Sequence, residues 1–244
     1  MNNSINFDLW DTLLKKYVNE QGRVNYAAWK RDEPEVLANW LLSIATLQIN
    51  ENAGTPLNIN DQLALWINLY NAFTVATILE KYPIKSVLPR ILGIPNWLGF
   101  LWFFQRQIYI VGGKNYSLAE IENKILREKL QEPRIHFAIV CASIGCPLLR
   151  AGAYYPEQVL SQLDDDARRF INNPDKVKYD ADKEILYCSK IFKWYRQDFL
   201  HVAPSVPEYI RSYLNTELPL TASTPVKYLY YDWNLNQQFY RISS

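Results

Sequence analysis

The chain has 244 residues, 49% hydrophobic and 21% charged, a balance that belongs to folded globular proteins and excludes a disordered chain. Its 26 Lys and Arg stand against 25 Asp and Glu, and a net charge of +1 supplies no drive towards nucleic acid or an anionic membrane. Three cysteines are too few, and odd in number, for a disulfide framework, and Met1 to Asn6 lacks the basic stretch and apolar core of a secretory signal, so residence in the cytoplasm is expected.

Phe7, Trp10, Leu13, Leu14, Tyr17 and Val18 recur at helical spacing and predict an opening amphipathic helix. A second helix is predicted from Pro34 through Val36, Leu37, Trp40, Leu41, Ile44 and Leu47. Asn50 to Asn58 reads as a loop, after which Asn60 or Asp61 caps a long helix from Leu63 to Lys81 that Pro83 stops. The longest apolar run, Ile91 to Phe104, is too short to span a bilayer and is interrupted by Pro95 and Asn96. A loop tucked onto the core is expected there, with contact to a membrane surface or cover over a pocket as the alternatives.

Gln107 to Val111 reads as a strand closing on Gly112-Gly113, and Ser117-Leu118-Ala119-Glu120 as a capping box that opens a helix carrying Ile121, Ile125 and Leu126. Ile135 to about Ala142 is predicted as a strand. A helix follows from Pro156 to Ile171, then a hairpin across Val177–Tyr179 and Ile185–Cys188, short helices near Phe192 and Glu208, and a strand over Val226 to Tyr231. No repeat or long linker divides residues 1–244, so one α+β domain is expected, with helices packed on a small, mainly antiparallel sheet.

Several phrases in this order carry a family resemblance. They are Leu65-Trp66-Ile67-Asn68-Leu69-Tyr70-Asn71-Ala72, Ser117-Leu118 with Ile121-Glu122, Arg134-Ile135-His136-Phe137-Ala138, and Cys141-Ala142-Ser143 with Gly145-Cys146-Pro147. Ser189-Lys190-Ile191-Phe192-Lys193-Trp194-Tyr195, Asp198-Phe199 and Trp233-Asn234-Leu235-Asn236 complete the set. Over about residues 63–236 the chain resembles the "domain of unknown function 547" family, with the N-terminal helices packed onto that part. The resemblance implies an α+β domain and a distant similarity to papain-like and transglutaminase-like thiol enzymes. It implies no particular reaction.

The chemistry concentrates in one stretch, because His136, Cys141 and Cys146 are three of only five His and Cys residues in the chain. In a strand, His136 and Cys141 would lie on opposite faces and about 16 Å apart, which argues against pairing them. Cys146, after Gly145 and before Pro147, is expected at a helix start, where free amides favour the thiolate. The catalytic reading makes Cys146 the nucleophile and His136 its base, with Cys141 as competing nucleophile or resolving thiol; the bland reading is a buried thiol beside a tight turn. Glu122, bordering its helix's apolar face, either orients His136 or pairs with Arg127 or Arg134.

Asn68 and Asn71, one turn apart in an apolar helix, either donate to a substrate oxyanion or bond to neighbouring backbone. Arg134, Ser143, Trp194, Tyr195 and Asp198 are the remaining candidates for lining a ligand groove, and Asp198, Trp194 and Tyr195 read equally as a cap and core aromatics. His136, Cys141, Cys146 and Cys188 match zinc ligands by type, yet their spacing lacks the short knuckles zinc sites use, so no metal or other cofactor is expected. The expected function is therefore a thiol-dependent hydrolase or acyl transferase acting on a peptide-like or amide substrate. The alternative is a non-catalytic domain that binds a peptide or protein partner with the same residues forming a polar core. Neither reading involves nucleic acid or a transmembrane segment, and membrane-surface contact would fall to residues 91–104.

Overall fold

In the computed structural model, which describes residues 6–46, 57–91, 94–106 and 108–238, the apolar spacing near the N-terminus closes as helix α1 (Asp8–Tyr17). A short helix α2 (Tyr26–Asp32), absent from the sequence expectation, is capped by the Asn25 side chain, and α3 (Val36–Ala45) follows. Trp10 lies parallel to Trp40 with ring centroids 6.2 Å apart, and Tyr17 stacks on Trp29 at 4.9 Å. The predicted loop at Asn50, the end of the second helix at Leu47, and the start of the next strand at Gln107 lie outside the described residues.

The axis of the core is α4 (Ile59–Lys81), 23 residues long. Its cap is Asn58 rather than Asn60 or Asp61, because Asp61 serves as the reciprocal partner of a capping box, its carboxylate accepting from the Asn58 amide at 3.1 Å. Apolar residues surround this helix on nearly every side instead of forming one stripe, which is what a helix packed on all faces requires. By length and composition it could cross a membrane, but 89% of its most apolar window is buried inside the fold. The buried apolar side chains form a cluster running from Phe7 to Leu235.

The apolar run after α4 is not a loop. It forms a two-residue ladder between β1 (Arg90–Ile91) and β2 (Ile94–Pro95), then helix α5 (Trp97–Gln105). Asn96, whose side chain accepts from the Gly99 amide at 3.0 Å, supplies the cap. A hairpin of β3 (Tyr109–Val111) and β4 (Lys114–Tyr116) leads to the capping box, where Ser117 and Glu120 satisfy each other's amides as expected. Helix α6 (Leu118–Glu120) then widens into a π-helix over Ile121–Lys129, marked by the Leu130 amide reaching the Ile125 carbonyl five residues back. π-Windings of this kind are rare and recur at functional sites.

The predicted strand at Ile135 is replaced by a 3₁₀-helix, Pro133–Phe137. Pro133 fits the first helical position, and the Glu132 carboxylate accepts from the Arg134 amide at 3.0 Å. Ala138 to Gln158 then runs without a helix or strand, apart from a single bridge between Ser143 and Leu235. An apolar run of this length reads as a strand by composition, but its polar backbone groups find other partners. Asn71 is the chief one: its amide nitrogen donates to the Ala138 carbonyl at 3.0 Å, and its oxygen accepts from the Val140 amide at 3.0 Å.

Helix α7 (Val159–Ile171) precedes the predicted hairpin, β5 (Val177–Asp180) with β6 (Ile185–Cys188), to which β7 (Val226–Tyr228) adds in parallel beside β6. Helices α8 (Ile191–Trp194), α9 (Arg196–Leu200) and α10 (Val206–Arg211) lie between the last two strands. The α+β class holds, with helices dominating three separate small sheets among the described residues rather than one sheet. Replacing Asn71 by Ala leaves a buried carbonyl and a buried amide without partners. We expect a loss of about 3 kcal/mol, on the order of 10 °C in Tm, read by thermal unfolding; an unchanged Tm would contradict the clamp.

Candidate functional site

The 3₁₀-turn presents His136 at 3% exposure, with its Nε2 2.7 Å from Asp198 Oδ2 at the middle of α9. Arg127, on the π-helix, grips the same carboxylate with two hydrogen bonds, Nε to Oδ2 at 2.6 Å and Nη2 to Oδ1 at 3.0 Å. Burial works against the Asp198 charge, but the donors on His136 and Arg127 outweigh it and hold the carboxyl well below its usual range. An ionised Asp198 makes Nε2 the protonated ring nitrogen, since only N–H can donate to it. Desolvation lowers the His136 pKa, partly offset by Asp198, so the ring is neutral at physiological pH. Its other nitrogen, Nδ1, is buried and has no hydrogen-bond partner.

Two aromatic rings fix the imidazole plane. Tyr195 stacks on it with centroids 3.8 Å apart and planes 19° from parallel, and Phe199 meets its edge at 5.6 Å. The Tyr195 hydroxyl donates to Glu122 Oε1 at 2.5 Å, and the Tyr70 hydroxyl donates to Glu122 Oε2 at 3.0 Å. Glu122 therefore orients the tyrosine that covers His136 and does not bond to His136. The expected ion pairs of Glu122 with Arg127 or Arg134 are also replaced: Arg127 serves Asp198, and Arg134 is held by Glu132 at 2.7 and 2.8 Å with its remaining nitrogen near Leu160 and Asp164.

Because no strand separates them, the geometry that kept His136 from Cys141 does not apply. Ala142 adopts a left-handed backbone, φ 63°, at a cost of about 1 kcal/mol, and so turns the chain back on itself. The turn brings Cys146 Sγ within 3.0 Å of the Cys141 amide, which donates to it. The Tyr231 hydroxyl donates to the same sulfur at 3.1 Å, while Cys141 Sγ lies 3.2 Å from Ser143 Oγ and 3.5 Å from the Tyr231 oxygen. Cys146 does not cap a helix, since the chain beyond Pro147 is irregular; the donors that the helix start would have supplied come from Cys141 and Tyr231 instead. Desolvation pushes the Cys146 thiol up, but the hydrogen bonds from Cys141, Tyr231 and Ser143 prevail and hold it low, whereas burial and the charge on Cys146 push Cys141 well up.

The turn is held from outside by a strand-like segment near the C-terminus. Ile144 and Gly145 donate to the carbonyls of Asn234 and Asp232 at 2.8 and 2.7 Å, and the Asn236 amide donates to Ala142 at 3.0 Å. Lys176 donates from Nζ to the carbonyls of Ile144 and Gly145 at 2.8 and 2.9 Å. A Cβ at Gly145 would sit 2.7 Å from the Tyr231 ring, so only glycine lets that tyrosine cover the thiols.

His136, Cys141, Cys146, Glu122, Tyr195 and Tyr231 line one cavity of about 510 Å³, whose remaining wall is largely aromatic and includes Trp194. No hydrogen bond joins His136 to either sulfur, because one ring nitrogen is on Asp198 and the other is unpartnered. Asn68 and Asn71 are not in this wall: Asn68 clasps the backbone of Tyr154 at 2.7 and 3.0 Å, as Asn71 clasps Ala138 and Val140. Cys188 lies on β6 opposite Val177 and does not line the cavity, and among the described residues no group of three or more His, Cys, Asp or Glu side chains is arranged to hold a metal ion. Sequence reasoning did not single out Tyr231, Lys176 or the aromatics of α5. Nothing in their local pattern distinguishes them from core residues.

Residues 55–171 match the model of a family described as "Protein of unknown function, DUF547". The match contains His136, Glu122, Arg127 and both cysteines of the turn, and it ends before the phrases at Ser189–Tyr195, Asp198-Phe199 and Trp233–Asn236. No curated protein and no solved structure matches the chain.

One thiolate is expected to titrate, in ultraviolet absorbance, below the ordinary thiol range of about 8–9. Tyr231→Phe removes a donor and should move that titration upward, while Cys188→Ala should leave it in place. A titration indifferent to Tyr231→Phe would contradict the assignment to Cys146.

Proposed function

We propose that this member of the DUF547 family is a thiol-dependent hydrolase or acyl transferase acting on an amide or ester carbonyl. The observation that carries the reading is an imidazole tied through Nε2 to Asp198, with Nδ1 free, on the same cavity wall as a thiol that accepts from the Cys141 amide and the Tyr231 hydroxyl, donors that favour its charged form. Each part alone occurs in structural cores. A base with one free nitrogen, a carboxylate fixing its tautomer and a low-pKa sulfur on one cavity are the parts that nucleophilic catalysis uses, and their meeting in one place supports the reading.

In this reading the Cys146 thiolate attacks the substrate carbonyl carbon, forming a C–S bond while the C=O π pair moves onto oxygen. The Tyr231 hydroxyl, which donates to the sulfur before attack, is the donor at hand as charge moves from sulfur to oxygen. The carbonyl re-forms and the bond to the amine or alcohol breaks as neutral His136 takes a proton at Nδ1 from a water molecule and passes it to the leaving group. The hydroxide so formed attacks the thioester, the tetrahedral adduct expels Cys146 with its electron pair, and the product acid loses its proton to solvent. Asp198 holds the ring and stabilises its charged form, and Arg127 is a positioning residue for Asp198. Asn68 and Asn71 have no part in this scheme.

A second reading, a domain that binds a peptide or protein partner, draws on an apolar rim at Ile94, Trp97 and Leu98, the last 80% exposed. The two are separated by alkylation with iodoacetamide at neutral pH, the modified cysteine being located by mass spectrometry. Cys146→Ala should abolish fast labelling and Cys141→Ala should retain it, while Asp198→Asn should slow turnover of an activated ester on the order of 10³-fold or more. Equal labelling of wild type and both cysteine variants would overturn the catalytic reading.

A further inference from the structure

The cavity above the thiols has a chemical bias that narrows what it can accept. Three aromatic side chains of α5, Trp97, Phe100 and Phe104, form one wall, and Trp194, Tyr231 and Trp233 form the other. The walls are packed edge to face: Phe100 and Trp97 meet Trp233 at 4.8 and 5.9 Å with planes 77° and 87° apart, and Trp233 meets Tyr231 at 4.5 Å. Among the described residues, no Lys or Arg lines this cavity. A substrate carboxylate or phosphate would lose its hydration there without a counter-charge. The acidic side chain in the wall, Glu122, already accepts from two tyrosine hydroxyls, so a cationic substrate would have to displace them.

We infer that the substrate's acyl group is an uncharged apolar chain or ring, bound between the aromatic walls with its carbonyl at the Cys146 turn. This rests on the thiol reading above and names the substrate class of that site. At about 510 Å³ the cavity falls in the size range that encloses a ligand of small-molecule dimensions. It is too apolar to favour the charged side chains of an ordinary peptide. The α5 helix, which sequence reading takes for a loop tucked onto the core, is the wall that makes the difference between a peptide groove and an acyl pocket.

The test is a series of p-nitrophenyl esters from acetyl to hexanoyl, with a succinyl ester of matching length as the charged control. We expect kcat/KM to rise roughly fourfold per added methylene, the gain that burial of a methylene gives, and the succinyl ester to fall at or below acetyl. Phe100→Ala, or Trp97→Ala should the first variant fail to fold, should flatten that slope by lowering hexanoyl turnover more than acetyl turnover. Equal turnover along the series, a preference for the succinyl ester, or a slope unchanged in the folded wall variant overturns the acyl assignment while leaving the nucleophile reading intact. Absence of turnover of every ester removes the hydrolase reading and this assignment with it.

Discussion

One carboxylate gathers the site. Asp198 accepts from His136 and from both forks of Arg127, and so ties α9 to the 3₁₀-turn and to the π-helix, three segments separated by more than sixty residues of sequence at their widest. A partly buried charge is tolerable only when its hydrogen-bond capacity is met, and here the meeting of that need also fixes a tautomer. Asp198 in its charged form dictates a proton on Nε2, and the proton on Nε2 dictates a bare lone pair on Nδ1. The unpartnered Nδ1 is thus a consequence of the ion pair behind it, and its desolvation is offset elsewhere by three charge-assisted bonds.

The thiols are arranged by a second set of constraints that shares no residue with the first. A left-handed Ala142, a glycine at 145 forced by the Tyr231 ring, a lysine across two carbonyls and a C-terminal segment bonded along the turn hold Cys141 and Cys146 against each other. These features oppose local preference: an Ala in a conformation that favours glycine and a partly buried ammonium both cost free energy. Their common effect is to aim an amide and a phenol at one sulfur. The Asn71 side chain joins the two sets, because its two bonds to Ala138 and Val140 fix the chain that runs from His136 to Cys141.

Local signals in the sequence locate several helices but miss α2 and α5. Apolar periodicity located α1, α3, α4 and α7, and the Ser117–Glu120 capping box located α6, because each of these depends on neighbours in sequence. The run Ile135–Ala142 misled for a physical reason: apolar continuity is common to a buried strand and a buried irregular segment, and only the distant Asn71 decides between them. The error propagates, since strand geometry argues against pairing His136 with Cys141 and shifts the choice of nucleophile to Cys146. Glu122 was legible as a carboxylate needing a partner but not which partner, since Tyr70 and Tyr195 lie 52 and 73 residues away along the chain. Asp198 stood among the candidates through its place in a motif, and its role came only from the fold. Tyr231 and Lys176 had no local signature, because their significance lies wholly in what the turn at Cys141 requires.

The proposed chemistry turns on the state of one imidazole, and with only two histidines in the chain it can be observed directly. A long-range ¹⁵N–¹H correlation spectrum at neutral pH, assigned by comparison with His201→Gln, should show His136 neutral, with Nε2 protonated and Nδ1 bare. In Asp198→Asn that tautomer should lose its preference. A His136 that is protonated on Nδ1 at neutral pH, or doubly protonated there, would contradict the assignment of Nδ1 as the base and with it the central claim.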